Sequence, residues 1–590
     1  MYKVYFPQQN ITVKVEEGTS VLDTEIAAGL KPDAPCGGAG LCGKCRVEIL
    51  TENGARESVL ACSTKVDRDL TVFTASDENH HILTSGTAAP TELAPAIRAY
   101  RLQVEKPSLQ DPCSDWERLK RAVREAAEVE LRPNAEISRN LRKTLEDLNY
   151  APQAVLCGGE LLALREGGRL LSAAVDIGTT TLVLYLADLE TGELLCTCSM
   201  LNPQTKFGAD VISRANHAIH NSVEELTGTI RPAVNELIAE ALKKTGLSAD
   251  DVYSLVIVGN TCMHHLFLGI DPSGLVFSPY VPSISEALEL AAAEYGMLAN
   301  ECAKLFMLPC IAGFVGADTA AVMLACDFDR REELTLAIDI GTNGELVLGS
   351  RSRTAACSTA AGPALEGAKI TFGMRGAAGA IDHAGIEDGK LTFSVIGGGK
   401  PRGICGSGLL DLTAALLHAG VLDETGRFAD PDELPRASEP LADRLQTYEG
   451  IRCFVIAEAE ETATGSVICL TQKDIREVQL AKGAIAAGIQ LLLKALGAKE
   501  KDIQKVLIAG AFGSYMSPES ACAIGLIPGS LLSKIEAVGN AAGAGALSCA
   551  LSESCRARAS EMAARTEFVE LAADPEFQDR FIDELGFPED

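Results

Sequence analysis

Apolar and polar positions alternate over residues 2–6 (YKVYF) and 11–15 (ITVKV), which predicts two half-buried strands joined as a hairpin. Residues 17–30 (EGTSVLDTEIAAGL) shift to helical spacing behind a capping serine, and RVEIL (46–50) and LTVF (70–73) return to strand alternation. Residues 86–112 lose periodicity and carry Pro90, Pro95, Pro107 and Pro112, which predicts a semi-extended linker. Ser114 and Glu117 then form a capping-box pattern ahead of a helix with Trp116, Leu119 and Val123 on one face. Ile137, Leu141, Leu145 and Leu148 stripe a second helix, and AVLCGGELLALREGG (154–168) reads as a hairpin closing a small α+β domain.

The pattern then repeats itself. SAAVDIGTTTLVLYLAD from Ser172 and TLAIDIGTNGELVLGSR from Thr335 are each an apolar strand ending in Asp, a tight glycine turn and a second strand. Downstream, ELIAEALKKTGLSADDVYSLVIVGNT is matched by GIQLLLKALGAKEKDIQKVLIAGAF, a helix, a polar loop and a buried strand ending in glycine. Asp176 to Asp339 spans 163 positions and Gly259 to Gly510 spans 251, so the second half carries 251 − 163 = 88 extra residues between its hairpin and its glycine strand. The segment IGGGKPRGICGSGLLDL falls inside that insertion. The expected organisation is therefore 1–85, a small sheet domain; 86–170, a linker and small domain; 171–330 and 331–590, two related halves of one α/β domain.

Composition narrows the class. With 52 Lys+Arg against 81 Asp+Glu the net charge is -29, which repels phosphate backbones and anionic bilayers, so neither nucleic acid nor membrane is an expected partner. MYKVYFPQQN has no apolar core of a signal peptide, and the longest apolar run, AIAAGIQLLL, is short for a membrane span. The 19 cysteines, an odd number spread over the chain, suit reduced thiols and a cytoplasmic location.

Four cysteines stand apart. CGGAGLCGKC (36–45) with Cys62 gives C-x5-C-x2-C-x16-C. The same stretch fits a G-x-G-x-x-G fingerprint and most of a P-loop, but it follows a helix end and a proline-bounded loop and precedes a strand, the reverse of what a phosphate-binding glycine loop needs. Cys36, Cys42, Cys45 and Cys62 suit a [2Fe–2S] cluster, and the glycines let backbone N–H groups reach sulfur; a tetrahedral zinc is the alternative. Cys549 and Cys555 lack a partner set for a second cluster. His264 and His265 lack a zinc-binding context and read as ordinary structural or surface histidines.

The cysteine pattern with its flanking strands resembles plant-type and adrenodoxin-type ferredoxins of the β-grasp fold, with one extra residue in the first gap and a short last gap. The paired D-x-G-T hairpins resemble the actin and sugar-kinase ATPase superfamily. That resemblance implies a phosphate site at Gly178, Thr179, Thr180 and Thr181 and at Gly341, Thr342, Asn343 and Gly344. It also implies Asp176 and Asp339 holding Mg²⁺ through waters, and an adenosine loop at Gly510, Ala511, Phe512 and Gly513. Glu345 is a candidate to position the attacking water for hydrolysis, or simply a solvated strand residue.

Taken together, CGGAGLCGKC with Cys62, VDIGTTT, FGADVISRA, IDIGTNGE and LIAGAFGSYM resemble the reductive activators of corrinoid proteins over essentially the whole chain. The resemblance implies a [2Fe–2S] cluster, ATP and Mg²⁺ as cofactors. It also implies an upstream low-potential electron donor, a partner corrinoid (cobalamin-binding) protein whose Co(II) is returned to Co(I), and a homodimer as one admissible assembly. The chain itself has no D-x-H-x-x-G, the usual cobalt-ligand signature, so the corrinoid is expected on the partner. The rival readings are an ATP-driven electron donor to another low-potential enzyme and a cluster-regulated small-molecule kinase.

Overall fold

The computed structural model describes residues 1–9, 11–30, 32, 34, 38, 45–50, 56–74, 86, 91–133, 135–341, 343–367 and 369–589, the side chains of 58, 136, 363, 511, 512 and 514 excepted. The N-terminal alternation becomes a five-stranded sheet in the order Ile11–Val15, Tyr2–Phe6, Leu70–Phe73, Arg46–Leu50, Arg56–Leu60. Tyr2–Phe6 pairs antiparallel with Ile11–Val15 and parallel with Leu70–Phe73, so the first and last strands of this sheet in sequence lie side by side. Helix Val21–Ala27 crosses this sheet, capped by Ser20 accepting from the Asp23 N–H at 3.0 Å. Val4, Phe6, Val47, Ile49 and Val72 form its core. Arg56–Leu60 is a strand that the sequence reading leaves unnamed.

The expected linker is partly ordered. Ile97–Arg101, inside 86–112, is an edge strand pairing antiparallel with Gln153–Cys157, which pairs with Glu160–Arg165. The correction has a simple cause: Ile97 is buried against Val155, and five backbone pairings outweigh the nearby prolines. Helices Asp115–Ala127 and Ala135–Asp147 bury Leu119, Val123, Leu141 and Leu145 as expected, and Ser114 accepts from the Glu117 N–H at 3.2 Å. Ala94 latches this domain to the C-terminal part through paired backbone bonds with Leu551 and Glu553, both 2.9 Å.

The repeat is a duplicated α/β unit. The first sheet runs Leu194–Leu201, Thr181–Asp188, Leu171–Ile177, Val252–Gly259, Lys304–Met307, Leu288–Ala291. The second runs Ile535–Gly539, Lys505–Ala509, Thr335–Ile340, Gly344–Gly349, Thr354–Thr359, Glu567–Phe568. In each, three antiparallel strands are extended by parallel strands beside the first, so Val258 lies opposite Asp176 and Ala509 opposite Asp339. The repeated helices, Val223–Thr245 and Gln472–Leu496, both end on left-handed glycines, Gly246 and Gly497. The second is long and apolar enough to cross a membrane, beyond the short run read from sequence, yet most of it is buried against strands Gly344–Gly349 and Thr354–Thr359 as a core helix. The insertion lies between Thr354–Thr359 and Gln472–Leu496 and holds two three-stranded sheets and helix Gly406–His418, which packs against strand Ala380–Glu387 of the first.

Helices Ala317–Ala325 and Ala541–Leu551 cross where the halves meet. A Cβ on Gly545 would stand 2.1 Å from the Ala321 carbonyl oxygen, so only glycine permits this approach.

Candidate functional site

The two hairpin turns face each other across a cavity of about 630 Å³ between the halves. Asp176 sits one residue before the end of its strand because the strand must turn at Gly178, and Asp339 occupies the same place in the second half. Both border the cavity, as do Gly178, Thr179, Thr180, Thr181, Gly341, Asn343, Glu345 and Gly510. Glu345, which the sequence leaves open, is thus in the cleft, held by the Ser358 hydroxyl at 3.4 Å.

The first turn is braced from behind by buried polar groups. Arg214, fully buried on helix Val211–His220, donates to the Thr179 carbonyl at 2.6 Å and to the Gly208 carbonyl at 3.0 Å. Asn202 donates to the Gly178 carbonyl at 2.8 Å, and Asn260 donates to the Thr179 hydroxyl at 3.0 Å. These contacts account for FGADVISRA: Asp210 caps the helix by accepting from the Ser213 N–H at 2.7 Å, which aims Arg214 at the turn. The second turn closes through the Gly341 N–H donating to the Asn343 carbonyl at 3.0 Å. Thr180 ties the halves by donating to Glu366 at 3.1 Å.

Not every expected nucleotide residue lies at the cavity. Thr342 is outside the described residues. Gly344 borders Thr359 and Ile485, and Gly513 is pressed against Ile508, so neither lines the cleft. The expected adenosine loop is instead a short helix, Gly510–Tyr515, of which Gly510 and Tyr515 reach the cavity; the side chains of Ala511 and Phe512 lie outside the described set. Gly510 adopts φ +86° with a would-be Cβ 2.6 Å from Asp339 Oδ1, so it shapes the carboxylate end.

A third aspartate joins the pair. Asp318, on helix Ala317–Ala325, lines the same cavity. Burial, then the Asp318 and Asp339 charges, push Asp176 up to about 8, against a hydrogen bond from Asn540. Burial and then the Asp318 charge raise Asp339 to about 7. Burial raises Asp318 to about 6 despite hydrogen bonds from Thr319, and burial followed by the Asp318 and Asp339 charges raises Glu345 well above its ordinary value. A bound positive charge would relieve these elevations. Among the described residues, no three acidic, cysteine or histidine side chains converge closely enough to hold a bare ion.

Sequence reasoning missed Asp318, Asn260 and Asn540. A signal existed: the tripeptide V-G-N recurs at 258–260 and 538–540, each time ending a strand and capping a helix with Asn. It also missed the cavity wall supplied by the insertion, which includes Arg375, His383 and Ser407. His264 and His265 are buried core residues, His265 bridging the Thr261 carbonyl and the Ser283 N–H at 2.8 and 3.0 Å.

At the other end of the chain, Cys45 and Cys62 are brought side by side by strands Arg46–Leu50 and Arg56–Leu60, and the Cys62 N–H donates to Cys45 Sγ at 3.4 Å. Gly38 takes φ +85° with its would-be Cβ 3.8 Å from Cys62 Cβ. A backbone donor aimed at sulfur and a left-handed glycine beside it fit a thiolate-held cluster. Cys36 and Cys42 lie outside the described residues. No described cysteine is in a disulfide.

Family models match in four consecutive pieces. Residues 5–67 match a 2Fe-2S iron-sulfur cluster binding domain, which favours iron–sulfur over zinc at the cysteine loop. Residues 86–169 match the RACo linker region, 171–331 the RACo middle region, and 333–590 the C-terminal domain of RACo, the ASKHA domain. A corrinoid activation enzyme, RamQ of Eubacterium limosum, is 34% identical over 98% of both chains. A [Co(II) methylated amine-specific corrinoid protein] reductase of Methanosarcina barkeri is 27% identical over 60% of this chain and 65% of its own. A solved reductive activator for a corrinoid, iron–sulfur protein superposes with TM-score 0.77 and 32% identity, covering 100% of this chain and 99% of that one.

Proposed function

Because this chain belongs to the family of reductive activators of corrinoid proteins, we propose that it couples ATP turnover in the cleft between its two halves to delivery of one electron to Co(II) of a partner corrinoid protein. It is an ATP-dependent activator and reductase, with a [2Fe–2S] domain ahead of an actin-like ATPase domain. The observation that carries the coupling is that one chain joins a sulfur-directed cysteine pair to a cleft where both halves present a carboxylate.

Cys36, Cys42, Cys45 and Cys62 are the proposed ligands; bound there, the cluster supplies the single low-potential electron that an upstream donor replenishes. ATP phosphates would lie between the turns at Gly178–Thr181 and at Gly341 and Asn343, all of which border the cavity. Asp176, Asp318 and Asp339 border the cavity and would hold Mg²⁺ through waters. Glu345, which borders the cavity, is the proposed group that positions the attacking water.

ATP is needed on energetic grounds. For one electron 59 mV is a tenfold ratio, so a deficit of ~150 mV costs about 3.5 kcal/mol. Nucleotide binding that favours one arrangement of the halves over the other supplies such a difference. A reduced-thiol chain of this kind is proposed to work in the cytoplasm.

The test is a Co(II)-to-Co(I) absorbance assay with the partner under anaerobic conditions. Cys62→Ala should lose the cluster and the reduction while ATP binding survives. Asp339→Ala should keep a reducible cluster and fail to deliver its electron. Reactivation by Asp339→Ala at the wild-type rate and extent would show that ATP does not drive the transfer.

A further inference from the structure

The inserted segment supplies a wall of the cavity in addition to the two hairpin turns. Its apolar part includes Val395 and Ile396, and its polar part includes Asp382, His383 and Ser407. His383, on strand Ala380–Glu387, is the oriented member. Its Nδ1 lies 3.0 Å from Asp411 Oδ2, and the other oxygen of Asp411 accepts from the Ser520 hydroxyl at 2.6 Å. Asp411 is 8% exposed on helix Gly406–His418, and Ser520 sits on helix Pro518–Ala523, so three elements converge to fix one imidazole. Asp382 is occupied, accepting from the Ser394 hydroxyl at 2.6 Å.

With Nδ1 engaged by Asp411, Nε2 is the ring nitrogen left for a ligand. The carboxylates and hairpin turns take the phosphate end, so the remaining wall faces the nucleoside. A purine presents flat apolar faces that suit Val395 and Ile396, whereas ribose presents hydroxyls that need a donor and acceptor. From this geometry we infer that His383 binds a ribose hydroxyl of the nucleotide, with Asp411 and Ser520 as positioning residues. The nucleoside site is then built in part by the insertion.

This inference rests on the reading of the cleft as an ATP site, and the experiment separates the two. Affinities of the full-length protein are measured with Mg²⁺ present for ATP, 2′-deoxy-ATP, 3′-deoxy-ATP, GTP and inorganic tripolyphosphate. His383→Ala should weaken ATP about tenfold, the scale of one well-oriented hydrogen bond. It should leave tripolyphosphate unchanged and should no longer distinguish ATP from the deoxynucleotide that the wild type disfavours. Asp411→Asn and Ser520→Ala should shift ATP by smaller factors with tripolyphosphate again unchanged, and His383→Gln should recover part of the loss. A wild-type preference that falls on the base, with both deoxynucleotides bound as well as ATP, would overturn the assignment. So would His383→Ala binding ATP like the wild type, or losing tripolyphosphate in proportion, since a merely structural defect would move both. If the wild type bound neither ATP nor tripolyphosphate, the nucleotide reading itself would fall and this inference with it.

Discussion

The two halves of the ATPase domain share a strand order and a position for one aspartate, yet they hold their hairpin turns differently. In the first half the turn rests on three side chains, Arg214, Asn202 and Asn260, reaching backbone or hydroxyl groups from behind. In the second half, among the described residues, the turn closes on its own backbone with the Thr359 hydroxyl donating to the Gly344 carbonyl at 3.1 Å, and the neighbouring insertion adds a cavity wall. Duplication supplied a symmetric pair of carboxylates, whereas the differences supply what symmetry cannot. On the proposed reading, the braced half would serve as a platform and the other would set the selectivity for what lies against it.

If the carboxylates are equivalent, disabling either should cost alike. Asp176→Asn and Asp339→Asn are each expected to lower ATP turnover by roughly 10²–10³, the range for removing a group that stabilises developing charge. Steady-state hydrolysis rates check this, and a large effect at one with none at the other would break the equivalence. Folding should suffer far less, because each removes a buried acid from a crowded cluster.

The bracing asymmetry is tested at Arg214. Arg214→Met keeps much of the buried volume but removes the donors to Thr179 and Gly208, and should cost about 2–4 kcal/mol of stability. Denaturant unfolding measures it. Turnover should fall about tenfold as the first turn loosens, and a variant with full stability and full turnover would show that the platform is not held by this residue.

The acid cluster also fixes a pH dependence. Asp176, Asp339 and Glu345 hold protons in the folded chain far more tightly than in the unfolded one. Their contribution is therefore complete below about pH 4 and is lost as pH rises through 7 and 8. His264, lowered by burial to about 4, works oppositely, but its effect is complete above the ordinary histidine range. Between pH 6.5 and 8 the nucleotide-free protein should lose stability by up to about 1.4 kcal/mol per pH unit for each carboxylate still protonated. Thermal melts should show the decline in wild type and a shallower one in Asp318→Asn, which relieves its neighbours. Equal slopes would mean that the acids do not interact.

How much of this was legible in the sequence depends on whether a residue acts through a local pattern. Asp176, Asp339 and the glycine turns are repeated strings, and the insertion announced itself as an unequal spacing between repeats. Asp318 has no repeated string, and it enters the site only because the two crossing helices bring it there. His383 and Asp411 are separated by 28 positions and meet through a fold of the insertion that periodicity does not encode. Glycine spacing at 510–513 signals tight backbone approach, seen here between Gly510 and Asp339 and between Gly513 and Ile508, while Gly510 and Tyr515 also border the cavity.

The smallest expected effect concerns a contact that joins the surroundings of the two turns. Thr180, on the braced turn, donates to Glu366, which precedes the insertion's sheets in the second half. If that bond holds the halves close before nucleotide arrives, Thr180→Val leaves the free protein more open, and binding must then include closure. A hydroxyl-to-carboxylate bond that is partly exposed contributes about 1 kcal/mol or less, so ATP affinity should weaken no more than about fivefold, with the maximal turnover rate unchanged. The direction matters more than the size. Tighter ATP binding in Thr180→Val would mean that the bond locks the cleft against nucleotide. The second half would then have to release the first before phosphate could enter, and the rigid-platform account of the first half would need to be reversed.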